Sequence, residues 1–243
     1  MSYVPLDANT HGKLRYEHSR NHEQFRNAHY IPLLAAELGQ AGSHYPLVFI
    51  KNAETGQFVC VALMGLEAGQ NLHFQHPPLD KYLPAHVRRG PFALRAAAGG
   101  AQVLIDDSHP SLSNETGEAL FPADQTAEAR MQHFRTEIER LLTEERVTAA
   151  FMQALTEHNL LQAASLQMRY ADGRQHKIEG LYLINEQALT VLADATVVEF
   201  HRRRYWGPIH ASLYSLERIV QLIKLLEAGG TDKVIDYRLV LAQ

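Results

Sequence analysis

The sequence predicts an α+β fold, with a mainly antiparallel sheet built from two hairpins plus short strands and with helices packed on it. Two apolar strand pairs, each joined by a glycine-containing turn, predict the hairpins. Apolar residues at helical spacing fall between and after these pairs. The helices therefore do not alternate regularly with the strands, which favours α+β over a doubly wound α/β domain.

The first thirty residues are polar and rich in histidine. We predict that residues 1–30 form an extended arm with little regular structure. Apolar anchors such as Leu6, Leu14 and Tyr16 are expected to hold this arm against the body of the protein. A short helix is predicted over residues 31–39, with Pro32 in its first turn and Gly39 at its end.

The first hairpin is predicted from two runs rich in β-branched and aromatic residues, 45–51 and 57–63. The five residues between them include Gly56 and suit a longer hairpin loop. Further short strands are expected over 72–75, 92–95 and 102–105. The pair Gly99-Gly100 is typical of a turn between the last two strands.

The second half of the chain contains the other hairpin and most of the residues predicted to be helical. Helices are expected over 127–143 and 147–159, with Asn159 as a stop signal. The Asp172-Gly173 pair predicts a tight turn between strands over 164–170 and 175–184. Shorter helices are expected near 186–192 and 195–202, and the strongest apolar stripe predicts a long helix over 208–228.

These elements predict a single domain over residues 1–243. The stretch 231–243 is interpreted as a C-terminal tail, either extended or forming a short terminal strand. At 243 residues, the chain is long enough to bury a sizeable core without help from disulfides or metals.

Composition excludes several classes of protein. Lys plus Arg is 23 and Asp plus Glu is 27, so the net charge of −4 gives no reason to expect a nucleic-acid partner. The longest apolar run, 59–66, is too short to span a bilayer. The N-terminus does not resemble a secretory signal peptide, and the single cysteine, Cys60, cannot form an intrachain disulfide. We therefore expect a cytoplasmic protein, although signal-free secretion stays open.

Histidine is more abundant than average composition would give, with 14 in the chain. His18 and His22 are four residues apart, so a helix would place them on one face as weak candidates for a metal site. The alternative interpretation is an exposed arm without metal. Asp106 follows a predicted strand and is a candidate ligand-binding residue, although Asp also builds loops.

The strongest cluster of positive charge is Arg202-Arg203-Arg204, followed closely by the only tryptophan, Trp206. Guanidinium groups beside an aromatic ring could bind a carboxylate or phosphate and stack on a flat ligand. The alternative is an exposed helix end with Trp206 packed in the core. Arg88-Arg89 is a second, smaller basic pair with the same two interpretations.

No motif for a serine nucleophile, a P-loop or a dinucleotide-binding turn occurs. Three functions stay open. The first is a small-molecule or peptide-binding accessory protein. The second is an enzyme with a dispersed site, which could include a His-bound metal, acting on an amino acid or peptide-like substrate. The third is a surface-layer-associated protein. The cofactor, the oligomeric state and the catalytic residues are not predicted.

Several stretches, in order along nearly the whole chain, resemble the SapC family of bacterial proteins. The stretches that carry the resemblance are Tyr3-Val4-Pro5-Leu6-Asp7, Asn9-Thr10-His11-Gly12-Lys13, Ile31-Pro32-Leu33, Tyr45-Pro46-Leu47-Val48-Phe49, Thr55-Gly56-Gln57-Phe58, Met64-Gly65-Leu66, Tyr82-Leu83-Pro84, Arg88-Arg89, Pro91-Phe92-Ala93-Leu94, Ile105-Asp106, Gly117-Glu118-Ala119-Leu120-Phe121, Gly180-Leu181-Tyr182 and Ser215-Leu216. The chain departs from the family before Tyr82, where the family's usual tryptophan is missing.

The resemblance implies little about mechanism. The family name comes from a surface-layer gene region, which associates the family with the surface layer without assigning a reaction. Relatives are often encoded near TonB-dependent receptors, flavin-dependent tryptophan halogenases and cupin-like proteins. This context implies an accessory role in handling an imported or modified small molecule. The resemblance supplies no catalytic residues.

Overall fold

The computed structural model describes residues 3–75, 82–97, 100–230 and 233–242, and it confirms the α+β fold. The strands in chain order are β1 (Val4–Pro5), β2 (Arg15–Tyr16), β3 (Tyr30–Pro32), β4 (Leu47–Lys51), β5 (Phe58–Leu63), β6 (Phe92–Ala97), β7 (Gly100–Ile105), β8 (Leu112–Ser113), β9 (Glu118–Ala119), β10 (Leu161–Tyr170), β11 (Gln175–Ile184) and β12 (Val234–Leu241). The α-helices are α1 (Ala8–His11), α2 (Leu38–Gly42), α3 (Leu72–Gln75), α4 (Ala85–Arg88), α5 (Ala127–Glu157), α6 (Glu186–Thr190), α7 (Asp194–Arg202), α8 (Trp206–Ser215) and α9 (Ile219–Ala228). Short 3₁₀ helices cover His18–Phe25, Ala35–Glu37 and Leu216–Arg218. Among the helices described, none is long and apolar enough to cross a membrane.

The chain contains two compact units. The first comprises Met1–Arg26 and Ala85–Glu145, and the second comprises Asn27–Pro84 and Arg146–Gln243. A single domain over residues 1–243 stays a prediction. The expected arm, 1–30, holds only short elements, and the expected tail, 231–243, includes strand β12.

The first unit has two small antiparallel sheets, ordered β1-β7-β6 and β8-β2-β9. Strands β6 and β7 form a hairpin in which Phe92 lies opposite Ile105. The turn predicted at Gly99-Gly100 falls partly outside the described residues. The core of this unit joins the arm, the hairpin and the first part of α5, and it consists of Leu6, Tyr16, Phe92, Val103, Ile105, Leu120, Phe134 and Ile138.

The second unit is built on a sheet with the order β12-β10-β11-β4-β5-β3. Both predicted hairpins are confirmed, and pairing of β11 with β4 joins them in one antiparallel sheet. Gly173 adopts φ +89°, which the turn between β10 and β11 requires and which glycine adopts without strain. Apolar residues of this sheet pack against Ile219, Leu222, Ile223 and Leu226 of α9.

Two of the predicted elements are wrong in type. Residues 72–75 form helix α3 instead of a strand, because the Asn71 side chain accepts a hydrogen bond from the backbone N–H of Phe74 at 2.9 Å and caps the helix. The predicted helix over 31–39 is replaced at its start by strand β3, which pairs with β5. Pro32 is tolerated there because β3 lies at the edge of the sheet.

Two helix boundaries also differ from prediction. The helices expected over 127–143 and 147–159 are one helix, α5, since no glycine or proline separates them. The helix expected over 208–228 is divided into α8 and α9 by a 3₁₀ turn. At this division the Ser215 hydroxyl accepts a hydrogen bond from the Leu47 N–H at 2.9 Å and thus ties the helix to β4.

Candidate functional site

A pocket of about 470 Å³ lies within the first unit. Its lining comes from three stretches of the chain: the arm, the segment around α4 and β6, and helix α5. The lining residues are Tyr16, His18, Ala85, Arg88, Arg89, Phe92, His133, Phe134, Glu137, Ile138, Arg140, Leu141 and Glu144. Pockets of this size accommodate small organic molecules.

Aromatic rings form one wall of the pocket. Phe92 on β6 stacks on Phe134 of α5, with 4.3 Å between ring centroids and 26° between ring planes. Tyr16 meets Phe92 edge to face at 5.3 Å, and His18 packs against Tyr16 at 4.1 Å. This wall offers a flat apolar surface, which favours an aromatic or other planar ligand body.

Hydrogen bonds fix the position of Tyr16. The Asn21 side-chain amide donates to the Tyr16 hydroxyl at 2.6 Å and to the backbone carbonyl of Arg88 at 3.2 Å. Gly90 adopts φ +62°, and a side chain there would strike the Tyr16 hydroxyl and Asn21. Burial raises the pKa of Tyr16, an effect that the Asn21 hydrogen bond partly offsets, so the phenol stays protonated near neutral pH.

Charged groups also line the pocket. Arg140 is shared between Glu137 at 3.6 Å and Glu144 at 3.9 Å, three and four residues away on α5. Arg89 is half-buried, and its Nε lies buried with no hydrogen-bond acceptor among the residues that the structure describes. Positive charge near an apolar wall favours a ligand that carries both an anionic group and an apolar body.

Two further histidines lie in the same unit, His109, which is buried, and His86, which is half-buried. Burial lowers the pKa of His86 and of His109, and the charge of Arg89 lowers both further. Nearby carboxylates, Glu145 for His86 and Asp106 for His109, act in the opposite direction. Because burial is the largest cause for each, both imidazoles are neutral near pH 7.

Asp106 is buried in the first unit but is not among the described residues that line the pocket. Its Oδ1 accepts hydrogen bonds from the Ser108 hydroxyl at 2.6 Å and from the Ser108 N–H at 3.3 Å. Its own N–H donates to the carbonyl of Pro91 at 2.9 Å. These bonds build the turn that follows β7, in line with the loop-forming interpretation of Asp106.

The run Arg202-Arg203-Arg204 and Trp206 belong to the second unit, at the end of α7 and the start of α8. All three arginines are exposed. Arg203 pairs with Glu199 at 3.0 Å. Trp206 is half-buried and begins a row of stacked rings along α8 that continues through His210 to the exposed Tyr214. Ligand binding at this cluster stays a prediction.

His18 and His22 lie in the 3₁₀ helix His18–Phe25. With three residues per turn, side chains four apart diverge by about 120°, so these two histidines do not share a face as they would on an α-helix. Within the described ranges, no three His, Cys, Asp or Glu side chains come together in a way that could hold a metal ion.

Sequence reasoning missed two features of these sites. The Arg88-Arg89 pair did not predict an aromatic wall, because Tyr16 and Phe134 of that wall come from segments distant in the sequence. Sequence reasoning also passed over Glu37, which is buried in the second unit and accepts hydrogen bonds from the Leu34 N–H at 2.8 Å and the Tyr82 hydroxyl at 2.7 Å. The pattern Leu34 to Glu37 resembles a capping box in spacing, which was the available signal.

Comparison with known proteins identifies a family but no characterised relative. No curated protein and no solved structure matches the chain. The model of the SapC family matches residues 6–222, which include nearly all of the first unit and most of the second. Since this match covers far more than half of the 243 residues, the protein belongs to the SapC family.

Proposed function

We propose that the protein is a small-molecule-binding accessory protein that holds a small organic anion in the pocket of the first unit. The observation that carries this proposal is the stacked pair Phe92 and Phe134 beside the guanidinium of Arg89 in a pocket of about 470 Å³. Such a pocket suits a ligand with a planar apolar body and one anionic end. An amino acid, a short peptide or an aromatic acid has this chemistry. In this proposal, the protein acts in the cytoplasm.

The composition of the pocket supports binding of a compact ligand. Ligand sites usually combine a mainly apolar lining with a few polar groups that fix orientation. Here Phe92, Phe134, Ile138 and Leu141 supply the apolar lining. Burial of an aromatic ring against such a wall is worth about 25 cal/mol per Å² of apolar surface.

A second location is favoured by a separate observation. The row of stacked rings begins with the half-buried Trp206 and continues through the exposed His210 and Tyr214. It lies one residue after the exposed run Arg202-Arg203-Arg204. Stacking surfaces next to cations also suit flat anions. Binding at this cluster is the alternative to the pocket. An enzyme acting on an amino acid or peptide-like substrate is the alternative function.

The proposal is tested by filling the pocket from its exposed rim. Glu137 lines the pocket from the exposed side of α5, whereas Glu139 is exposed on the same helix and is not among the lining residues. We expect 2-naphthoate, measured by calorimetry, to bind the wild type and the Glu139→Trp control alike. We expect Glu137→Trp to weaken binding about tenfold or more, because the indole occupies ligand space. No binding of 2-naphthoate to the wild type, or equal affinity in both variants, would contradict the proposal.

A further inference from the structure

We propose that Arg89 is the residue that binds the anionic group of the pocket's ligand, and that this group is a carboxylate or a similar oxyanion. The inference rests on the proposed function and adds the ligand's chemical class and its anchor. Arg89 follows the last turn of α4, where its N–H donates to the carbonyl of Ala85 at 2.9 Å. Its side chain lines the pocket together with Phe92 and Phe134.

The first observation is that one hydrogen-bond donor of Arg89 has no acceptor within the described chain. Arg89 Nε is buried and has no acceptor among residues 3–75, 82–97, 100–230 and 233–242. A guanidinium cannot lose its proton at any physiological pH, so the Nε–H remains a donor. The guanidinium therefore has no acceptor from the described chain at this atom, and because the Arg89 side chain lines the pocket, an oxyanion there would meet a complementary charge and a planar donor group.

The second observation is that nearby carboxylates are engaged elsewhere. Glu137 and Glu144 share Arg140, and Glu145 lies 4.0 Å from His86. Glu23 is held by Arg20 through two hydrogen bonds of 2.7 and 3.0 Å. Asp106 accepts from Ser108. The positive charge of Arg89 is therefore left available for a ligand.

A second buried donor without an acceptor among the described residues, His109 Nε2, lies in the same unit. The side chain of His109 is nearly fully buried, with 4% of the residue exposed. Its Nδ1 accepts from the Ser111 N–H at 3.1 Å, so Nε2 carries the proton, and Nε2 has no partner in the described part of the chain. His109 is not among the described residues that line the pocket, so water is the acceptor expected for its Nε2–H, whereas Arg89 lies where a ligand's oxyanion could bind.

A matched pair of ligands distinguishes the oxyanion from water. We measure the affinity of 2-naphthoate and of 2-naphthamide, which share the ring system and differ in charge. The proteins are the wild type, Arg89→Gln and Arg95→Gln. Arg95 is an exposed arginine of β6 in the same unit that bonds to Gln102, so it serves as the control for loss of one positive charge.

We expect the wild type and Arg95→Gln to bind the carboxylate about tenfold or more tightly than the amide, as a charge-assisted hydrogen bond predicts. Arg89→Gln should bind both ligands equally, with the amide affinity unchanged. If Arg89→Gln does not fold, Arg89→Lys, which keeps the charge and lacks the planar fork, should reduce the preference several-fold.

The remaining outcomes separate the two proposals. Equal wild-type affinity for both ligands would overturn the role of Arg89 and leave the pocket as the binding site, with water on the unmet donors. A carboxylate preference that survives in Arg89→Gln would likewise overturn the inference. Binding of neither ligand to the wild type would overturn the proposed function together with the inference.

Discussion

The rings of Phe92 and Phe134 lie stacked at 4.3 Å, which joins strand β6 to helix α5 across 42 positions of sequence. Each ring is nearly fully buried, yet both line the pocket. Such a pair contributes roughly 0.5–1.5 kcal/mol beyond the burial of its area. The same contact therefore stabilises the first unit and builds the wall against which a ligand would lie.

The first prediction concerns Asn21, whose amide bonds both Tyr16 and the Arg88 carbonyl. Asn21→Ala should lower the free energy of unfolding by about 1–3 kcal/mol, because a buried phenol and a carbonyl each lose a partner. Urea denaturation measures this change. The control is Asn114→Ala, an exposed position in the same unit, which should stay within about 0.5 kcal/mol of the wild type. Equal stability of the two variants would show that the Asn21 bonds do not support the pocket.

The second prediction is a loss of stability in mildly acidic solution. The folded state lowers the pKa of His86 and His109, chiefly by burial, whereas in the unfolded chain each titrates near the ordinary value of about 6.5. As the pH falls below that value, these two histidines bind protons in the unfolded chain more readily than in the folded chain. The free energy of unfolding therefore decreases as the pH falls from about 7 towards 5.

Thermal unfolding between pH 7.5 and 5 tests the contribution of His109. In His109→Gln, the melting temperature should fall less steeply with decreasing pH than in the wild type. His201→Gln, which removes an exposed histidine of α7, should keep the wild-type slope. If the slope in His109→Gln equals that of the wild type, titration of His109 makes no contribution.

The third prediction compares the pocket with the arginine cluster of the second unit. Arg203 and its partner Glu199 are both about half-exposed, so Arg203→Ala should change the free energy of unfolding by less than about 1 kcal/mol. If the ligand lies in the first-unit pocket, Arg203→Ala and Trp206→Ala should both bind 2-naphthoate as the wild type does. A tenfold loss of affinity in either folded variant would place the ligand at Arg202, Arg203, Arg204 and Trp206 instead.

The sequence predicted those parts of the fold that local signals control. The Asp172-Gly173 turn and the β-branched runs specified both hairpins, since turn geometry and strand propensity act over a few residues. Pairing of β11 with β4 could not be predicted, because it joins segments more than 120 residues apart and no local signal specifies which strands become neighbours. Residues 72–75 form a helix rather than the predicted strand because the Asn71 side chain caps them, a signal that a count of apolar residues does not include.

The candidate site was less predictable than the fold. The sequence shows the charge of Arg88-Arg89 and the nearby Phe92, but Tyr16 and Phe134 join them in the pocket only through tertiary packing. Asp106 drew attention as an acid after a strand, and its bonds to Ser108 show the loop chemistry that also explains it. His18 and His22 would share one face of an α-helix, but they lie on different faces of the 3₁₀ helix that they form. Their spacing in the sequence does not distinguish the two helix types.

The most direct test of the central claim is a crystal structure of the full chain grown with 6-bromo-2-naphthoate, in which anomalous scattering locates the bromine. We expect the bromine and its ring system to lie against Phe92 and Phe134, with the carboxylate within hydrogen-bond distance of Arg89. A bromine peak beside Trp206, or none in the first-unit pocket at saturating ligand, would contradict the account.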